Sequence, residues 1–248
     1  MTSRQPAGAF VQADQVPAET SSGGARVRTL LNTGAGGPGL IRRHIDMPSQ
    51  SGYSGTAGEA GEMWFVIRGT GQLDVGRQPG PQLRPDRAVW VPPGSAYEVA
   101  AGDGAELRLD VVALPAAGPS AEASAEQAGR PLQDKDFADC EIETTGDRQF
   151  RVLFGPGKGC SVATQFVGEI PPGRAPVHSH PYDEVVLILG GEGTAHIGGA
   201  ETPLSPGTCL HLPPGLPHCL ENTGSAMMRV LGVFHPADSP AAKLPPGT

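Results

Sequence analysis

Along most of the chain, apolar residues gather in runs of strand length, and turn-forming residues separate them. In the second half the runs SVATQFVGEI, EVVLILGGE, GTAHIG and TCLHLP are divided by PPGRAP, GG, SPG and PPG. Short runs rich in Val, Ile, Leu and Phe, closed by Gly and Pro, predict strands joined by tight turns. The chain also holds 36 Gly and 26 Pro, a quarter of its 248 residues, and both types disfavour helix interiors. An all-β protein is the expectation. Seven or eight short strands in each half would close into a barrel or jelly roll, which removes exposed strand edges.

The two halves can be laid over each other. VRTLL at 27–31 matches FRVLF at 150–154, and EMWFVIRGTGQLDVG at 62–76 matches EVVLILGGEGTAHIG at 184–198. PDRAVWVPPGSAYEV at 85–99 matches PGTCLHLPPGLPHCL at 206–220. Three blocks in the same order, with offsets that drift only slightly, indicate a duplicated β domain. The expected organisation is an N-terminal arm over 1–25, able to dock as an edge strand, a first barrel over 26–114 and a linker over 115–131. A second barrel over 132–240 and a tail over 241–248 complete it. The Ala/Ser/Gly/Pro-rich stretch PAAGPSAEASAEQAGRP supports the linker.

A formal net charge of -8 and a pI near 5.3 argue against nucleic acid as a partner, because phosphate binding needs clustered Lys and Arg. No apolar run reaches the roughly 18 residues that suggest a membrane span, and the first 25 residues lack the basic-then-apolar order of a secretion signal. A cytoplasmic protein is expected, and the Gly/Pro/Ala-heavy composition suits a bacterial source. Cys140, Cys160, Cys209 and Cys219 show no paired CxxC spacing, so they read as reduced, small, buried residues.

The stretch VHSHPYDE, 177–184, carries the chemistry. On an extended strand His178 and His180 face the same way, and Glu184 keeps that parity. In PPGLPHCLEN, 213–222, the PxG turn re-aims the chain before His218. His196 and His211 lie close by in sequence, and parity does not choose among the three because the turn intervenes; those two are expected to support the site or fill the barrel. Three imidazoles and a carboxylate suit Fe, Mn, Co, Ni, Cu or Zn rather than Mg or Ca. Four protein ligands leave positions open for water, dioxygen or substrate.

These residues resemble a known family. GRAPVHSHPYDEVVLILGG, 173–191, is similar to the first cupin motif, G(X)5HXH(X)3-4E(X)6G, with one residue fewer between Gly173 and His178. GTCLHLPPGLPHCLEN, 207–222, matches the second, G(X)5PXG(X)2H(X)3N. The resemblance implies two tandem cupin-type jelly-roll β-barrels, with one divalent transition metal per chain held by His178, His180, Glu184 and His218. Iron is the first candidate, with Mn, Ni, Cu, Co and Zn behind it. In the first half Thr56, Gly58 and Tyr97 stand where the three histidines stand in the second, and only Glu62 keeps its identity. The N-terminal barrel is therefore expected to bind no metal, with Trp64, Trp90 and Tyr97 filling its interior or rim. Two-barrel cupins with both sites intact, such as oxalate decarboxylases, are a poorer match. One-site arrangements similar to this one occur among aromatic-ring dioxygenases and ureidoglycine aminohydrolases.

Around the metal, Arg151, Gln165, Val186, Ile188 and Met228 are substrate-pocket candidates, and Tyr182 and Arg174 are candidate catalytic groups. Arg229 is a further candidate for orienting an anion. The leading expectation is a mononuclear non-haem metal oxygenase or dioxygenase acting on a small organic substrate. The alternatives are a non-redox metalloenzyme (isomerase, cyclase, decarboxylase or aminohydrolase) and a small-molecule-binding cupin without turnover. The assembly is expected to be a monomer or a homodimer.

Overall fold

A computed structural model describes residues 9–34, 39–115, 130–242 and 244. Its ordered elements are 22 β-strands and two short 3-10 turns, Ala13–Gln15 and Phe137–Asp139, and there is no α-helix among the described residues. Among the described residues no helix is long and apolar enough to cross a membrane.

Four antiparallel sheets make two jelly-roll barrels. The larger sheet of the C-terminal barrel runs Phe10–Gln12, Thr208–Leu212, Asp183–Gly190, Met228–His235, Thr164–Ile170, Arg148–Phe154, Glu143–Thr145. Facing it is a smaller sheet in the order Gly173–Arg174, His218–Asn222, Gly193–Ile197, Ala200–Leu204. In the N-terminal barrel the larger sheet runs Gln133–Asp136, Arg87–Val91, Glu62–Arg68, Leu107–Ala113, Ile41–Met47, Arg26–Asn32, Glu19–Thr20. Its smaller sheet is Gly52–Thr56, Ala96–Ala101, Gly71–Val75, Gln78–Leu83. The two sets of strands correspond one to one, as the repeated blocks require.

The barrels exchange edge strands. Phe10–Gln12, from the predicted arm, pairs with Thr208–Leu212 of the C-terminal barrel. Gln133–Asp136, placed by sequence in the C-terminal barrel, pairs instead with Arg87–Val91 of the N-terminal one. Each exchanged strand covers an edge whose backbone N–H and C=O groups would otherwise lack partners. Most of the predicted linker, 116–129, lies outside the described residues, as does most of the 241–248 tail.

The larger sheets of the two barrels pack face to face. Leu30, Met63, Phe65 and Trp90 from one side meet Phe154, Val167, Val185 and Leu231 from the other in a single buried apolar cluster. Trp90 thus faces the partner barrel and not the interior of its own, a correction to the expectation from sequence. Within this apolar layer lies Arg42, fully buried. It makes paired bonds to Asp110 at 2.8 and 3.0 Å and also donates to the carbonyls of Val185 (3.0 Å) and Leu231 (3.1 Å) in the C-terminal barrel. Burial alone would push the Asp110 carboxyl up, but the adjacent guanidinium holds it below its usual range.

Candidate metal centre

Backbone pairing brings the histidines together. His178 and His218 form an isolated antiparallel bridge, with reciprocal N–H···O=C bonds of 3.0 and 2.8 Å. The His180 carbonyl accepts from the N–H of Gly215 at 2.9 Å. Gly215 holds φ at +74°, a left-handed conformation that a side chain would strain and that the PxG turn therefore requires. The potential ligand atoms of His178, His180 and His218 lie within 4.8 Å of one another, so a small inward turn of the rings would place them about 2.0–2.1 Å from a common ion. Glu184, on the adjoining Asp183–Gly190 strand, brings its Oε2 to 3.8 Å from His180 Nε2.

Each imidazole is fixed in one tautomer. The Nδ1–H groups of His178, His180 and His218 donate to the carbonyls of Pro176 (3.0 Å), Ala242 (2.7 Å) and Leu216 (2.8 Å). A carbonyl can only accept, so the neutral rings carry their lone pairs on Nε2, the form in which histidine ligates a metal. Burial lowers the His218 pKa to about 4, so this ring is neutral at physiological pH. Burial pushes the Glu184 carboxyl up to about 8. A divalent cation would offset that desolvation by favouring the carboxylate. The donor set and its tautomers fit a transition metal, and the three histidines can hold one.

The cluster opens into a pocket of about 220 Å³ within the C-terminal barrel. Phe150, Phe166, Val186, Leu212 and Val230 form apolar wall, while Thr145, Asp147, Arg148 and Gln149 also line it. Phe166 lies across Gly232, where a Cβ would come within 2.1 Å of its ring. A larger residue there would force the ring aside.

Several candidates from the sequence sit elsewhere. Val186 lines the pocket, but Arg151, Gln165, Ile188 and Met228 do not. Strand alternation turns Arg151 away from the interior; it donates to the carbonyls of Phe137, Ala138 and Cys140 and stacks over Phe137. Gln165 has the same outward parity and is fully buried toward the other barrel. Ile188 and Met228 are core residues beyond the cavity. Arg229 pairs with Asp86 across the barrels. Neither catalytic candidate lines the pocket. Tyr182 stacks behind His180, its ring centroid 4.7 Å away, with its hydroxyl 3.0 Å from His180 Nδ1, while Arg174 is exposed on an edge strand. His211 pairs with Asp183 at 2.6 Å and His196 with Glu221 at 2.8 Å, so neither joins the cluster. Arg148 was not among the sequence candidates. Its parity with Phe150, the inward residue of the same strand, is the signal that could have found it.

Residues 166–234 match the family model described as cupin domain. Among solved structures, a glyoxylate-induced protein from Pseudomonas aeruginosa is similar over 98% of this chain and 94% of its own, with a TM-score of 0.77 and 13% identity. The Ylba protein of E. coli aligns over 96% of this chain and 95% of its own, with a TM-score of 0.76 and 13% identity. A variant of Bacillus subtilis oxalate decarboxylase gives a TM-score of 0.73 at 10% identity, over 97% of this chain and 80% of its own. No curated protein sequence matches the chain. The C-terminal half thus carries a cupin domain, and the chain as a whole shares the fold of two tandem jelly-roll barrels with these solved structures.

Proposed function

We propose that the C-terminal barrel binds one divalent transition metal through His178, His180, Glu184 and His218 and carries out mononuclear non-haem oxygenase chemistry on a small organic substrate. The observation that carries this reading is the common tautomer of the three histidines, each with Nδ1–H bonded to a carbonyl and its lone pair on Nε2. A redox-active metal with open positions would supply dioxygen and substrate activation. The chain's own contribution is orientation and shielding. Tyr182 holds the His180 ring from behind through stacking and its hydroxyl contact, and Phe150, Phe166, Val186 and Val230 give the substrate an apolar wall that excludes water. The N-terminal barrel serves as a packing partner for the ligand-bearing sheet.

The test is the metal content of untagged protein purified without added metal, followed by oxygen uptake with candidate small substrates. About one Fe per chain, lost in a His178→Ala/His218→Ala double variant, together with substrate-dependent oxygen consumption, is the expected result. Turnover without oxygen would assign the site to a non-redox metalloenzyme instead. Folded wild-type protein that takes up no metal on reconstitution would sink the metal reading altogether.

A further inference from the structure

The pocket mouth contains a cation that forms no ion pair among the described residues. Arg148 begins the Arg148–Phe154 strand, and alternation puts it on the same face as Phe150 and Val152, toward the pocket. Its Nη2 donates to the Leu220 carbonyl at 2.8 Å, which anchors the guanidinium across the mouth. Among the described residues it makes no ion pair. Arg28, Arg43, Arg87 and Arg108, also partly buried, each have a carboxylate partner. A half-buried guanidinium beside apolar wall loses hydration that a neutral carbonyl restores only in part.

The nearest negative charge in the pocket is the neighbouring Asp147, which acts on Arg148 from solvent without pairing with it. The pocket's other acidic lining residue is Glu184, which sits at the histidine cluster. The other ionisable groups lining it are the three histidines.

We propose that Arg148 is a specificity-determining residue that selects a small organic anion, a carboxylate or similar planar oxyanion carried on an apolar carbon body. The guanidinium fork matches two coplanar oxygens, and the pocket's apolar wall of Phe150, Phe166, Val186 and Val230 matches the body. This rests on the pocket being the functional site, as proposed above, but the recognition itself needs no metal.

Calorimetric titration of benzoate and its neutral isostere benzamide into Zn-loaded and metal-free protein tests this, using wild type, Arg148→Gln and Arg148→Lys. Gln keeps a donor for the Leu220 carbonyl, and thermal melting checks that each variant is folded. Wild type should prefer benzoate by about tenfold or more in both forms. Arg148→Gln should bring the two ligands to near parity with metal content unchanged, and Arg148→Lys should keep part of the preference. Equal binding by wild type, no measurable benzoate binding, or a preference that survives Arg148→Gln would overturn the proposal. A preference confined to Zn-loaded protein and indifferent to Arg148 would assign anion recognition to the metal and leave the metal reading standing. Failure to bind Zn with an Arg148-dependent preference intact would do the reverse.

Discussion

Glu184 in the C-terminal barrel and Glu62 in the N-terminal barrel occupy the same place in the duplicated fold. Glu184 pairs with Phe234, and Glu62 with Ala113 of the corresponding strand. Glu184 faces the histidine cluster and a cavity of about 220 Å³. Glu62 is engaged instead: Arg43 donates to its Oε1 at 3.1 Å and the Trp64 indole to its Oε2 at 2.9 Å. By offset and register Trp64 stands where the other barrel has Val186, Arg43 where it has Phe166, and Tyr97 where it has His218. Trp64 and Tyr97 pack edge to face with centroids 4.8 Å apart. Tyr97 also lies over Gly55, where a Cβ would come within 2.6 Å of its hydroxyl. The same scaffold makes an open site or a filled core according to three or four inward residues. Filling brings its own cation to satisfy the retained carboxylate.

The contrast can be broken most sharply at the ligands. His178→Ala or His218→Ala should reduce bound metal to under about a tenth of an equivalent, whereas Glu62→Ala should leave metal content unchanged, as read by elemental analysis. Metal retained at one equivalent in both histidine variants would remove the distinction between the barrels.

Next in size is the joint between them. Arg42→Met leaves Asp110 buried with only the His44 imidazole beside it, 3.4 Å away, and should cost about 3–5 kcal/mol in denaturant unfolding. Arg42→Met combined with Asp110→Leu should recover most of that loss, because no uncompensated charge remains. A cost below about 1 kcal/mol for the single variant would show that the pair does not couple the barrels.

The pH dependence of metal binding is a third test. Glu184 has a folded pKa near 8 against an ordinary value of 4.5. Between these values the metal-free folded protein holds a proton that the unfolded chain has released. Its stability should therefore fall as pH rises through this window. Metal binding must expel the same proton, so affinity should rise about tenfold per pH unit from about pH 6 and level off near 8. Chelator competition across that range reads it. A flat profile would mean that Glu184 is not a ligand.

Smaller effects belong to the filled barrel. Glu62→Gln weakens the bond from Arg43 and should cost about 1–3 kcal/mol in stability with no change in metal content. Thr56→His, Gly58→His and Tyr97→His together restore three imidazoles, and Gly58 has open space for a Cβ. Even so, metal content should stay at one equivalent, because Arg43 and Trp64 still occupy Glu62. A second equivalent in that triple variant would show that the histidines alone separate the two barrels.

Strand-length apolar runs, the duplication and the side-by-side HxH, Glu and PxG-His elements were legible because they depend on local order: period-two parity, turn chemistry and spacing within one strand or loop. That information carried the all-β class, the two-barrel architecture and the three histidines that cluster at the centre, with Glu184 on the adjoining strand. The sequence could also exclude an equivalent histidine set in the first half, since the aligned positions hold Thr56, Gly58 and Tyr97. Which arginine faces the pocket was decided by strand register. Arg148 and Arg151 lie in one strand, yet one turns inward and the other out to the Phe137 turn. The reciprocal exchange of Phe10–Gln12 and Gln133–Asp136, and the reach of Arg42 to Val185 and Leu231, belong to the tertiary structure alone. Each joins residues more than 40 positions apart, and no local pattern encodes a partner at that distance until the two sheets are packed.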